Sequence, residues 1–232
     1  MAIYRKIATQ LRDEIGAQYT PGDLLPPENQ LADRFDVNRH TVRRAIDELV
    51  QDGLVRRHQG LGCRVVQKPI DYALHDRAAF SHNLSQIGLG LETEVAGCRV
   101  VQLPEALAER LALAETPRVI ELQTRRFIGS DPVCLIRHYL FDLPDDALNN
   151  FSEGSLHTYL LQNFDLELQR GTTRLRARMP TFDECNQLAI SRGVPVMEVH
   201  TRNYCRQSGA LREYSIARSR SDYFEYRVEP TP

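Results

Sequence analysis

Between residues 39 and 47, Arg39, His40, Arg43, Arg44 and Asp47 recur at helical spacing. At 100° per residue they share one arc, and Val42, Ala45, Ile46 and Leu49 share another. Such a helix buries its apolar side on a small core and turns forked, permanently charged donors outward. The arginine fork matches the paired acceptors of a guanine edge or a phosphate, and the helix fits a DNA major groove. By itself the pattern is equally that of a solvated charged helix. A second cluster weighs against that: Arg56, Arg57, His58 and Arg64 surround the Gln59-Gly60-Leu61-Gly62 run, where glycine lets a backbone approach a nucleic acid closely.

A third group lies in the C-terminal half. Arg174, Arg176 and Arg178 fall on one face of an expected strand, and Arg218 and Arg220 form a second alternating pair. With Ser81, Arg126, Ser155 and His157 they offer guanidinium, hydroxyl and imidazole donors to an anion. Plainer roles stand beside these: strand arginines are commonly solvated or paired with acids. Ser155 suits the cap of a following helix, and His157 suits a satisfied polar contact.

The elements around these groups follow from periodicity. Ile3, Ile7, Leu11 and Ile15 form a helical stripe, Pro21-Gly22 makes a turn, and a second helix spans 27–35. Asn38 caps the third, which ends near Gly53. Strands at 54–57 and 63–66 flank the glycine tip. Residues 69–76 read as a linker between a DNA-binding unit, 1–68, and an effector-binding unit, 77–232. In the latter, helices are expected at 77–88, 104–113, 154–163 and 181–191, and strands at 94–102, 117–128, 132–141, 171–179, 195–206 and 211–227. Gly129-Ser130 and Ser208-Gly209 read as hairpin turns, so the sheet is expected to be mainly antiparallel with helices on it, an α+β fold.

Composition sets bounds. The 232 residues accommodate two domains, and the net charge is −2. Residues 1–68 hold 11 basic and 9 acidic side chains against 18 and 22 in the remainder, so the N-terminal part is the one that suits phosphates. No apolar run reaches membrane-span length and the N-terminus lacks a signal-peptide core, so a cytoplasmic location is expected. The cysteines, at 63, 98, 134, 185 and 205, form no CxxC pair, and neither metal nor cofactor is expected. No nucleophile elbow, HExxH or Walker loop is present, which argues against an enzyme. A DNA-binding architectural protein without a sensor would leave the C-terminal two-thirds unused.

The run from Tyr4 to Val66 resembles the winged helix-turn-helix domain of the GntR family. The resemblance is carried by Pro21-Gly22-Asp23-Leu24-Leu25-Pro26-Pro27-Glu28, Leu31-Ala32, Val37-Asn38-Arg39-His40-Thr41-Val42-Arg43-Arg44-Ala45, Asp52-Gly53-Leu54-Val55 and Gly60-Leu61-Gly62. It implies DNA contacts from Arg39, Thr41 and Arg43, help from Asn38, a wing tip at Gln59 and Gly60 entering the minor groove, and a phosphate at the start of the second helix beside Glu28. Pro27 stands where the family often has a small residue, and Asp36 where it usually has glycine. Residues 70–230 resemble the UTRA effector domain of the HutC subfamily, a fold shared with chorismate lyase, so that an enzyme is the minor alternative. Phe80-Ser81-His82-Asn83-Leu84, Arg126, Tyr139-Leu140, Ser155-Leu156-His157, Glu213-Tyr214-Ser215, Arg220 and Asp222 carry this second resemblance. Within the subfamily the chain is most similar to regulators of phosphonate utilisation, in which Arg137 can be replaced by an acid. The resemblance implies a homodimeric repressor of phosphonate uptake or utilisation genes, bound to a pseudo-palindromic operator. Its effector would be a small anion, possible alternatives to a phosphonate being a sugar phosphate or a histidine-pathway acid. The candidate DNA contacts are thus Glu28, Asn38, Arg39, His40, Thr41, Arg43, Arg44, Arg56, Arg57, Gln59 and Gly60. The candidate effector contacts are Ser81, Arg126, Tyr139, Ser155, His157, Arg174 and Arg220.

Overall fold

Hydrophobic burial divides the chain into two units, residues 1–69 and 70–232. The structure, a computed structural model, describes residues 2–20, 22–58, 62–66, 69–74 and 90–228. The expected helix at 77–88 and the hairpin tip at 59–61 lie outside the described residues.

The first unit is built from α1 (Ile3–Gln18), α2 (Glu28–Phe35), α3 (Arg39–Gln51), β1 (Val55–His58) and β2 (Gly62–Val65). Ile7, Ala8, Leu11 and Ile15 of α1 meet Leu31, Val42, Ala45, Ile46 and Leu49 in one core, each large side chain worth roughly 1.5–3 kcal/mol of burial. Ile3 continues the stripe in sequence but is exposed. The turn from α2 to α3 uses Asp36 at φ 50°, ψ 50°, which explains glycine at this position in the family: the left-handed conformation costs a side chain energy, least for Asn or Asp. β1 and β2 pair antiparallel. The Gly22–Leu25 segment runs along β2, with Leu25 N–H donating to Cys63 O at 2.7 Å and Val65 N–H to Asp23 O at 2.8 Å, so the wing has an edge that periodicity did not reveal.

The second unit contains β3 (Ile70–Ala73), β4 (Leu91–Gln102), α4 (Glu105–Leu111), β5 (Arg118–Ile128), β6 (Asp131–Leu140), α5 (Leu156–Phe164), β7 (Leu168–Arg178), α6 (Phe182–Leu188), β8 (Val196–Cys205), β9 (Leu211–Arg220) and β10 (Phe224–Arg227). Six strands form an antiparallel sheet in the order β4-β5-β6-β9-β8-β7. The expected strand at 211–227 is two, broken by a turn at 221–223. Its second part pairs in parallel with β3, drawn from the segment read as a linker. That pairing joins residues more than 150 positions apart, and β3 is too short to show a period.

Each face of the sheet has its own cover. On one, Leu156 and Leu160 of α5 pack over Ile120, Leu122 and Leu140, and the β3–β10 ribbon covers Cys134, Ile136 and Ala217. On the other, Leu103 and helix α4 cover Val119, Tyr139, Tyr214 and Ile216. Strand alternation then decides which polar side chains can meet.

Candidate DNA-binding surface and effector site

Asn38 begins α3 as its sequence suggests: its Oδ1 accepts Thr41 N–H at 2.9 Å and Thr41 Oγ1–H at 3.0 Å. This cap sets Arg39 and Arg43 one turn apart, and both close on Glu28. Glu28 accepts Arg39 Nε–H at 2.8 Å and Arg43 Nη2–H at 2.9 Å, while Arg57 Nη2 lies 3.9 Å away. Arg57 also donates to Asp47 at 2.5 Å. The hydrogen bond from Arg43 holds the Glu28 carboxyl below its ordinary range. Glu28 thus points at arginines and acts through them. Helix α2 starts at Pro27 without a side-chain cap, as the loss of the family's small residue implies. His40 is exposed on the same arc. Arg44 differs from the expected grouping: its guanidinium sits over the Tyr4 ring of α1, 4.3 Å from the centroid, because 140° separates it from Arg39 around the helix. Arg56 is half-buried on β1. Gln59 and Gly60 lie outside the described residues.

In the second unit the register places Thr93, Thr124, Arg126, His138, Glu213, Thr201 and Asn203 on the α5 side of the sheet. Arg126 is 2% exposed. Its Nη1 donates to Thr93 Oγ1 and, at 3.0 Å, to Gly154 O just before α5. Among the described residues no carboxylate lies within ion-pair distance of it. Burial brings its pKa down to about 10, with Glu213 pulling the other way from outside contact range. Glu213, fully buried, accepts from His138 Nδ1 at 2.5 Å, His157 Nε2 at 2.7 Å and Asn203 Nδ2 at 2.5 Å. Burial would raise its pKa, but the two imidazoles outweigh this and hold it well below the carboxylate range. Burial pushes His138 down, so its neutral ring donates Nδ1–H. His157 comes from α5, where Ser155 is the cap, its Oγ accepting Thr158 N–H at 3.3 Å.

The expected effector residues therefore separate. Arg126 and His157, with Ser155 at the head of α5, belong to one face. Tyr139 and Arg174 belong to the other, Tyr139 in the core beneath α4 and Arg174 exposed beside His200. Arg220 is buried at a corner, donating to Asp222 at 2.7 and 3.1 Å and lying over the Tyr223 ring. Arg176 and Arg178 pair with Glu198, and Arg178 also with Glu184. Alternation was read correctly along β7, but only pairing across strands tells which face meets α5. Ser81 lies outside the described residues. His138, Glu213, Asn203 and Thr93 were missed as site residues. Two sequence signals pointed to them: the Glu213-Tyr214-Ser215 run that carries the UTRA resemblance, and a histidine in the largely apolar stretch from Val133 to Leu140.

Comparison with known proteins agrees with this two-part design. Residues 3–65 match the model of the bacterial regulatory proteins of the gntR family, and residues 86–225 match the UTRA domain. The probable transcriptional regulator PhnF of Escherichia coli K12 is 39% identical over 227 residues, 97% of this chain and 94% of that protein. The mannosyl-D-glycerate transport/metabolism system repressor MngR of the same organism is 26% identical, over 97% of this chain and 95% of its own. Among solved structures, PhnF from Mycobacterium smegmatis superposes with a TM-score of 0.63 at 21% identity, covering 97% of this chain and 99% of that one, a likeness of fold. Among the described residues no helix is long and apolar enough to cross a membrane. The chain belongs to the GntR family of bacterial transcriptional regulators, with a DNA-binding helix-turn-helix followed by a UTRA effector domain of the HutC type.

Proposed function

We propose that this regulator is a homodimeric repressor of phosphonate uptake or utilisation genes, released or retuned by a small phosphonate-like anion bound at Arg126. The observation that carries the effector half is a guanidinium 2% exposed with no acid beside it among the described residues. A buried ion without a counterion is costly unless something pairs with it. An anion there meets the Arg126 fork, the Thr93 hydroxyl and the N-terminal end of α5, whose free backbone donors and dipole favour negative charge. The likeness to PhnF supports a phosphonate over other anions.

In the DNA half, Arg39 and Arg43 read base edges, His40 and Thr41 assist, and Arg56 on the wing meets phosphate. Arg44, turned onto Tyr4, is left out of this surface. Two copies would read half-sites about one helical turn, roughly 34–36 Å, apart. The effector acts only through different affinity for two states of the dimer, and a coupling of about 1–3 kcal/mol changes operator affinity about 5–150-fold. Titrating alkylphosphonates, phosphate, sugar phosphates and urocanate against the protein–operator complex tests this. A phosphonate should shift operator affinity most. A response to uncharged compounds alone would leave the DNA-binding half standing and end the anion-sensor half.

A further inference from the structure

The opposite face of the same sheet carries a second cation that touches no acid among the described residues. Arg137 sits on β6, in the interior of the six-stranded sheet, facing away from Arg126. In register beside it are Gln123 on β5 and Ile216 on β9, and in the next row are Arg125, Leu135 and Arg218. Helix α4 covers this face at the Tyr139–Tyr214 end, and α6 flanks Arg218. Between the sheet and the start of α6 is a cavity of about 160 Å³ lined by Gln123, Arg125, Leu135, Arg137, Thr181 and Arg218, among others.

The acids around this cavity are already engaged. Glu94 accepts both oxygens' worth of hydrogen bonds from Arg125, and Glu121 accepts from Arg99 and Gln123. Glu184 is held by Arg178 and by Thr181 N–H, and Arg218 Nε lies 2.9 Å from it. Glu198 is shared by Arg176, Arg178 and His200. Asp183 accepts from Gln187. Arg137 alone of these cations has no hydrogen bond or ion pair among the described residues: it feels the Glu121 carboxylate electrostatically without contacting it, and its Nε is closed off from solvent. A central strand could hold an apolar residue here at lower cost. The guanidinium, with the Gln123 amide and the flanks of Arg125 and Arg218, forms a fork suited to planar or tetrahedral oxygens.

We propose that this groove is a second ligand site, for a small oxyanion, separate from the Arg126 site by the thickness of the sheet. The cavity admits a small organic anion and is too small for a polymer.

The test is calorimetric titration of sodium phosphate and sodium succinate, at constant ionic strength, into the full chain and its Arg126→Gln, Arg137→Gln and Arg126→Gln/Arg137→Gln variants. Arg126→Gln isolates the groove and should still bind at least one of the probes. Adding Arg137→Gln should weaken that remaining binding at least tenfold. Arg137→Lys, which keeps the charge and loses the fork, should give an intermediate value and controls for folding along with circular dichroism. Binding by Arg126→Gln that persists unchanged in the double variant would overturn the proposal. So would absence of binding of both probes to Arg126→Gln. Conversion of a dimer to a monomer by Arg137→Gln, with anion binding unaltered, would assign the groove to a second copy of the chain and overturn it too.

Discussion

On the recognition helix, Arg43 is about half exposed and its fork closes on Glu28 at 2.9 Å; on the sheet, Arg126 is 2% exposed and among the described residues its fork meets a hydroxyl and a carbonyl but no acid. The two units spend charge in opposite ways. The first keeps cations in water, where desolvation is slight, and uses one half-buried acid to aim them. The second buries a cation and an acid in the same layer without joining them, Glu213 being saturated by His138, His157 and Asn203. An aimed surface arginine suits a large polyanion that arrives from outside, whereas a buried one without an acid suits a small anion enclosed by the fold.

If this contrast holds, the largest effect belongs to the buried acid. Glu213→Ala strips three donors of their acceptor and should destabilise the C-terminal unit by about 3–5 kcal/mol, measured by urea unfolding. Operator binding per folded molecule should change far less. A surface-like loss under 1 kcal/mol would show that water replaces the carboxylate and that the network is not closed.

Arg43→Ala should cost about 1–3 kcal/mol of operator binding with relaxed preference at one base position, and leave unfolding of the C-terminal unit unchanged. Glu28→Gln sharpens the comparison, since it keeps the shape and releases the aim: discrimination between operator and random DNA should fall more than total affinity. Equal losses on both DNAs would make Glu28 merely structural.

Acidification probes the same buried layer. His138 has a folded pKa below its ordinary 6.5, so the unfolded chain takes up its proton first, and stability falls as pH drops below 6.5. The slope is at most about 1.4 kcal/mol per pH unit for one such group. Glu213, depressed from 4.5, adds to the loss below that value in the same direction. Thermal melts of His138→Gln should show a shallower onset at 6.5, the remainder coming from His200, whose pKa burial also lowers, and should keep the later one.

The smallest expected effect is at Asp36. Its left-handed φ of 50° means that Asp36→Gly should be neutral or stabilising, by no more than about 1 kcal/mol, with operator binding intact. A clear loss would show that the Asp36 side chain has a role beyond the turn.

The DNA-binding unit was the more legible of the two because its chemistry is local. Helix period, the Asn38 cap and the glycine-rich wing all lie within a few residues of the groups they position, and Arg39, His40 and Arg43 emerge on one arc by counting alone. What counting missed there was Tyr4 drawing Arg44 aside, and the Gly22–Leu25 edge of the wing, both contacts across the chain. In the effector unit the six sheet strands were visible, though 211–227 reads as one run where the chain makes β9 and β10. Their order in the sheet was not visible, and order decides the site. Tyr139 is one residue from His138 and lies on the opposite face; Arg220 and Arg126 look alike in sequence, yet one has Asp222 beside it and the other touches no acid among the described residues. β3 gave no signal because its partner, β10, lies at the other end of the domain.

The most direct test of the account is the binding of methylphosphonate to wild-type protein and to Arg126→Gln, with unfolding of both followed in the absence of ligand. The buried cation is predicted to exist for the anion. Arg126→Gln should therefore lose the Arg126 site and keep at most the methylphosphonate binding that Arg137 supports, while its ligand-free stability stays equal or rises, because a costly charge has been removed. Undiminished methylphosphonate binding, with a ligand-free protein destabilised by several kcal/mol, would contradict it and make Arg126 a structural residue.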